Sequence, residues 1–139
     1  MTEAAETIVV DASVAVKWFL ADGESGVAEA AALLSEHAGG RIALVAPTLI
    51  VHELTGVLTR RLPPEARVEA LNAFFDADVE LVAPSRELAI ATVRLVADRQ
   101  TSAFDAAYAA LATSLSSPLA TADRRLATAL EGAVTIRAV

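Results

Sequence analysis

The chain has 139 residues, a length suited to one domain that buries roughly two thirds of the surface its unfolded form would expose. It contains no cysteine, which excludes disulfide scaffolds, thiolate nucleophiles, iron–sulfur clusters and cysteine-type zinc sites. A formal net charge of −7 opposes global, counterion-driven binding to a nucleic-acid backbone, and no apolar run approaches the ~18 residues of a membrane span although 55% of the residues are hydrophobic. The longest apolar stretch, from Ile42 to Val51, is interrupted by Pro47, and residues 1–7 lack the positive charge and apolar core of a secretory signal. The expectation is a single cytoplasmic domain over residues 1–139 with no membrane association.

In chain order, a β-branched run at about 7–11 predicts the first strand, followed by a helix from Ser13 to about Leu20. A second helix is expected from Glu24 to His37, with Val27, Ala30, Ala31 and Leu34 at helical spacing and Gly39-Gly40 stopping it. A strand at 42–46 leads to a helix from near Pro47 through Arg61, and Pro63-Pro64 restarts the chain as a helix to about Phe75. After a strand at 79–82, Pro84 opens a helix that ends before Thr101, and Ser102 caps another that runs through Ser114. A strand at 118–122, a short helix from Asp123 to Leu130 and a strand at 133–136 complete the chain. Strands alternating with helices predict a parallel sheet of four to five strands with helices on both faces.

Four acidic residues interrupt this apolar pattern: Asp11 after Ile8-Val9-Val10, Glu53 within Leu49-Ile50-Val51-His52-Glu53-Leu54, Asp105 within Ala103-Phe104-Asp105-Ala106, and Asp123 after Leu119-Ala120-Thr121-Ala122. An ionised carboxylate in a dry interior costs several kcal/mol, roughly, unless it is paired, hydrogen-bonded or bound to a cation. Asp11 and Asp123 sit at predicted strand ends, where ligands of open α/β sheets bind, and Glu53 projects from an apolar helix face. The economical reading is that all four meet around a divalent metal. Taken singly, Asp11 and Asp123 also suit helix N-caps, Asp105 suits a variant capping box with Ser102, and Glu53 could be locally paired. Ser13 and Thr121 each lie two residues from an acid, so their hydroxyls could orient a carboxylate or a metal-bound water, or serve ordinary local roles.

Histidine offers little. His52-Glu53 would open a zinc-helix motif only if a second histidine stood at position 56, where the chain has Gly56. Trp18 reads as packing, with base stacking as the lesser alternative. Lys17 is the sole lysine, so any basic patch must come from arginine, and Arg60-Arg61 and Arg124-Arg125 are the adjacent pairs. Each pair suits a solvated helix end as well as a substrate contact.

Together the segments Val9 to Trp18, Ala46-Pro47 through Glu53-Leu54, Phe104 to Ala112 and Thr121 to Leu126 resemble the PIN-domain family, and within it the VapC-type toxin ribonucleases of bacterial toxin–antitoxin pairs. The resemblance spans nearly the whole chain and rests on the order and spacing of motifs that are each weak alone. Relatives often carry Tyr before the third acid, where this chain has Phe104. The resemblance implies a three-layer fold in which Asp11, Glu53, Asp105 and Asp123 hold Mg²⁺ or Mn²⁺, Glu53 in some cases through water, supported by Ser13 and Thr121. Oxygen-only donors independently suit such a hard cation.

The activity implied is endoribonuclease cleavage of RNA by a metal-activated water, with Arg60, Arg61, Arg124 and Arg125 as candidate RNA contacts. The partners implied are a VapB-like antitoxin with a basic tail and a second copy of the chain, paired through helices of the N-terminal half. A stand-alone RNA-processing nuclease and a non-catalytic RNA- or partner-binding scaffold are the alternatives on the same fold. A signalling receiver module would want an acidic pair after the first strand and a late lysine, and a haloacid-type phosphatase would want Asp-x-Asp; the chain has Asp11-Ala12-Ser13.

Overall fold

The computed structural model describes residues 5–21 and 23–139. Five strands, β1 (Glu6–Val10), β2 (Ile42–Pro47), β3 (Glu80–Val82), β4 (Leu119–Thr121) and β5 (Ile136–Ala138), form one sheet in the order β3-β2-β1-β4-β5. Every pairing is parallel, with Ile8 opposite Leu44 and Val10 opposite Ala120. Because the central strands are covered on both faces, their residues read as continuous apolar runs, and Ile8, Val9, Val10, Leu44, Ala46, Leu119 and Ala120 are fully buried.

Seven helices flank the sheet in a three-layer arrangement: α1 (Ala12–Ala15), α2 (Val27–Ala38), α3 (Leu49–Arg61), α4 (Pro64–Asp76), α5 (Arg86–Arg99), α6 (Ala103–Ser114) and α7 (Arg124–Ala129). The central helix α6 packs across β1, β2 and β4, while α2 covers β2. Its composition explains that position. Ala106, Ala109, Ala110 and Ala112 let the helix lie close to the sheet, with Tyr108 and Leu111 filling the gaps, and all six are buried.

Four boundaries differ from the sequence expectation. The helix expected over 13–20 is a single turn, α1, that tightens into a 3₁₀ turn at Val16–Trp18. There Lys17 is buried and ion-paired to Glu24 at 3.1 Å, and the Trp18 indole donates to the Ala30 carbonyl at 2.8 Å while stacking on Phe74. Trp18 is therefore a packing residue. Helix α2 starts at Val27 rather than Glu24 because Gly26 is left-handed, φ 72°, where a β-carbon would meet the Val139 carbonyl carbon at 3.0 Å. Helix α5 starts at Arg86 because Ser85, not Pro84, caps it by accepting from the Leu88 N–H at 3.1 Å. The last strand lies at Ile136–Ala138 instead of 133–136, since Ala133 and Val134 are held in a turn by bonds to the Leu130 carbonyl.

The topology singles out one place on the sheet. From β1 the chain builds outward through β2 and β3, then crosses back to β4 and β5 on the other side of β1. Such a reversal opens a crevice beyond the carboxyl ends of β1 and β4.

Candidate metal centre

Asp11 follows the last residue of β1 and is only 4% exposed. Its Oδ1 accepts from the Ser13 hydroxyl at 2.5 Å and the Val14 N–H at 3.3 Å, and its Oδ2 from the Thr121 hydroxyl at 2.6 Å. A carboxylate offers about four acceptor sites, so the remaining one lies on Oδ2. Both hydroxyls are polarised in turn. Ser13 Oγ accepts from the Ala122 N–H at 2.9 Å and Thr121 Oγ1 from the Asp123 N–H at 3.0 Å, which ties the ends of β1 and β4 together.

Asp123 caps α7, its Oδ1 taking the Arg125 and Leu126 N–H groups at 3.0 and 3.2 Å. No hydrogen bond reaches its Oδ2 among the described residues. Asp105 sits in the first turn of α6, where the helix dipole favours an anion. Ser102 accepts the Asp105 N–H at 3.1 Å and the Asp105 carboxylate is left without a hydrogen bond among the described residues. Capping and electrostatic coupling thus coexist at Asp11 and Asp123: local hydrogen bonds fix each carboxylate while an Oδ2 lone pair stays unused among the described residues.

Glu53 comes from the middle of α3, half-buried, and its Oε1 accepts the Tyr108 hydroxyl at 2.9 Å. Tyr108 belongs with the acids although the sequence reading passed over it. The signal was its position three residues after Asp105, which puts both on one face of α6.

The four acids are electrostatically coupled. Burial pushes the Asp11 carboxyl above the ordinary carboxylate range, its hydrogen bonds pull it back, and Asp123 pushes it up again. Burial likewise raises Glu53, Tyr108 offsets part of this, and Asp11 and Asp105 add repulsion. The Tyr108 phenol is pushed far up by burial first and then by Glu53 and Asp11. Each perturbation is of the kind that a cation among the acids would relieve.

Among the described residues no three carboxylate or imidazole groups approach closely enough to enclose an ion as they stand. The donor chemistry nevertheless fits a hard divalent cation: carboxylate oxygens, one buried and hydroxyl-anchored, with no sulfur or imidazole bonded to them among the described residues.

Asp105 and Asp123 also wall a cleft of about 390 Å³ that contains Arg125. Arg124 precedes it on the exposed start of α7. Arg60 and Arg61 lie elsewhere, closing α3 about two turns beyond Glu53, and Arg61 is turned toward Glu24 at 3.6 Å. An apolar hollow of about 240 Å³ between α3, α5 and α6 includes His52 but none of the four acids. His37 is structural: its Nδ1 accepts the Leu44 N–H at 3.0 Å, and its Nε2–H donates to the Ala77 carbonyl at 2.9 Å.

Comparison with known protein families matches residues 8–130 to the PIN domain. The chain belongs to the PIN-domain family. No curated protein matches its sequence. Solved structures share the fold at low identity, VapC-type PIN proteins among them. VapBC2 from Rickettsia felis, bound to a DNA fragment from its promoter, has a TM-score of 0.73 at 11% identity, covering 96% of this chain and 98% of that one. DNA-bound VapBC from Salmonella typhimurium has a TM-score of 0.71 at 14% identity, with 96% and 98% covered. VapC20 from Mycobacterium tuberculosis, a sarcin–ricin loop cleaving toxin, has a TM-score of 0.68 at 20% identity, with 88% and 94% covered.

Proposed function

We propose that this PIN protein is a metal-dependent endoribonuclease acting as the toxin of a toxin–antitoxin pair. The observation that carries the reading is the buried, hydroxyl-anchored Asp11 at the β1/β4 switch point, coupled to Asp123, and to Asp105 through Glu53. Asp11, Asp105 and Asp123 would hold Mg²⁺ or Mn²⁺, with Glu53 reaching it directly or through water. The cation, when bound, would neutralise phosphate charge and acidify a water for attack on the phosphodiester.

The chain's own residues set the rest. Ser13 and Thr121 fix the Asp11 carboxylate in one orientation, so no reorganisation is needed when substrate arrives. Tyr108 fixes one oxygen of Glu53 and leaves the other available. Arg125 supplies positive charge in the cleft that Asp105 and Asp123 would otherwise make repulsive to RNA. Arg124, Arg60 and Arg61 extend this along the surface as weaker candidates.

A VapB-like antitoxin is the proposed partner, because a −7 chain with an acidic centre suits a basic tail, and because the similar Rickettsia and Salmonella structures are VapBC complexes. Pairing of two copies belongs to the same reading. The exposed Ile90 and Val93 of α5, which has no fully buried residue, offer an apolar face for it in the C-terminal half, not on the N-terminal helices that the resemblance implies.

The test is to incubate purified protein with total cellular RNA in Mg²⁺, in Mn²⁺ and in chelator, beside Asp11→Asn, and to map the ends by sequencing. Discrete cuts that need metal and disappear in the variant are expected. Equal cutting by Asp11→Asn would remove Asp11 from the chemistry, and protein that takes up Mn²⁺ without cutting would point to an RNA- or partner-binding role.

A further inference from the structure

The cleft beside Asp105 and Asp123 extends away from Asp11 and Glu53, between the α5–α6 connection and α7. Its volume of about 390 Å³ falls in the range of small-molecule pockets, ~300–1,000 Å³. Gln100 closes α5 in the left-handed conformation, φ 53°, so the chain turns sharply and lays Thr101 and Ser102 along one wall. Arg125 stands in the opposite wall. Its guanidinium forms no ion pair among the described residues, although two carboxylates share the cleft.

One residue before Asp105, outside the cleft's own lining, Phe104 is 67% exposed, the only aromatic ring left so open among the described residues. Neither helix formation nor core packing accounts for it. Alanine would serve the first turn of α6 better, and the ring contributes nothing to the buried core. An unpaired guanidinium and an exposed aromatic face, flanking carboxylates that would carry a cation, together offer the three elements of single-strand recognition: phosphate, base face and reacting centre.

We infer that this cleft is a nucleotide subsite that holds the nucleotide adjoining the scissile phosphate of single-stranded RNA. Arg125 faces its phosphate, Phe104 stacks on its base, and the wall formed by Gln100, Thr101 and Ser102 limits which bases fit. The assignment rests on the nuclease reading for its position relative to the cut, and on Arg125 in the cleft and the neighbouring exposed Phe104 for binding.

The test is anisotropy titration of 5′-fluorescein uridine and adenosine 12-mers in Mg²⁺, with the Asp11→Asn substitution as background to prevent cutting. Phe104→Ala and Arg125→Ala are each expected to weaken binding roughly 5- to 100-fold. Phe104→Tyr should restore affinity and Phe104→Leu should not. Arg125→Ala alone should flatten the salt dependence, by a slope of about 0.7. Both side chains are exposed, so unchanged melting of the variants checks that the fold is intact.

Unchanged affinity in both alanine variants, or full rescue by leucine, would overturn the subsite. If the Asp11-intact protein cuts RNA regardless of these variants, the nuclease reading stands and the subsite falls. If the stated binding dependences hold while the Asp11-intact protein never cuts, the subsite stands and the nuclease reading falls. Absence of RNA binding altogether would remove both.

Discussion

Replacing Thr121 with Val keeps the shape of a side chain that is 2% exposed and deletes one hydroxyl. That hydroxyl donates to Asp11 Oδ2 at 2.6 Å and accepts from the Asp123 N–H at 3.0 Å. A hydrogen bond to a charged group is worth about 1.5–3 kcal/mol, and a backbone donor left without its acceptor adds about 1 kcal/mol. The expected loss is therefore ~2.5–4 kcal/mol near pH 7.5, or about 10 °C in melting temperature for a domain of this size. Its pH dependence identifies the cause.

The Asp11 carboxyl already lies above its ordinary 3.8, and the Thr121 hydroxyl is one of the groups holding it down. Without that hydroxyl the folded-state value rises further while the unfolded value stays put. The added penalty is complete above the variant's folded value and shrinks as pH falls through it. Urea unfolding at pH 7.5 and at pH 4 should show the cost falling at the lower pH, toward the ~1 kcal/mol of the lost backbone acceptor, with an unchanged m-value. A cost below about 0.5 kcal/mol at pH 7.5, or the same cost at both pH values, would refute the claim that the hydroxyl serves the charge on Asp11.

The raised Glu53 carboxyl imposes a penalty that is absent below its ordinary 4.5 and grows as pH rises to its folded value; metal-free Glu53→Gln should melt above wild type at pH 8 and level with it at pH 4. The same variant should lose roughly 100-fold or more in RNA cleavage, and Mn²⁺ should raise its melting temperature less than that of wild type. Tyr108→Phe removes the donor to Glu53 and should cost about 1 kcal/mol, while the acid limb of a cleavage–pH profile moves to higher pH because the carboxylate is less well held. Leu54→Ala, at a core position with no exposure, should cost about 2–5 kcal/mol in urea unfolding and leave cleavage per folded molecule unchanged.

The parallel sheet was legible in the sequence because strands covered on both faces must be continuously apolar, as in Ile8-Val9-Val10 and Leu44-Val45-Ala46. Strand β5 was misplaced by two to three residues because it pairs only with β4, and its Ile136 and Ala138 carry no stronger apolar signal than Ala133-Val134 in the preceding turn. The early helix was overextended because its periodicity continues through Val16-Lys17-Trp18, whereas the Lys17–Glu24 pair and the Trp18 indole bond that shape the 3₁₀ turn are contacts with residues further along the chain. The acids stood out because charge inside apolar sequence demands an explanation. Tyr108 did not, since a tyrosine in an alanine-rich helix is ordinary until Glu53 is found 55 residues away at the end of its hydroxyl.

The bonds that close the centre span 109 residues, from Ser13 to Ala122, and 110, from Asp11 to Thr121. No amino-terminal fragment that stops short of β4 can assemble them. During synthesis the chain therefore stays chemically incomplete until β4 has been made and has slotted in beside β1, a late, long-range event of the slow kind in folding. If the ribonuclease reading proposed above holds, that order of assembly would keep each nascent chain harmless to the ribosome and message producing it until β4 has joined the sheet.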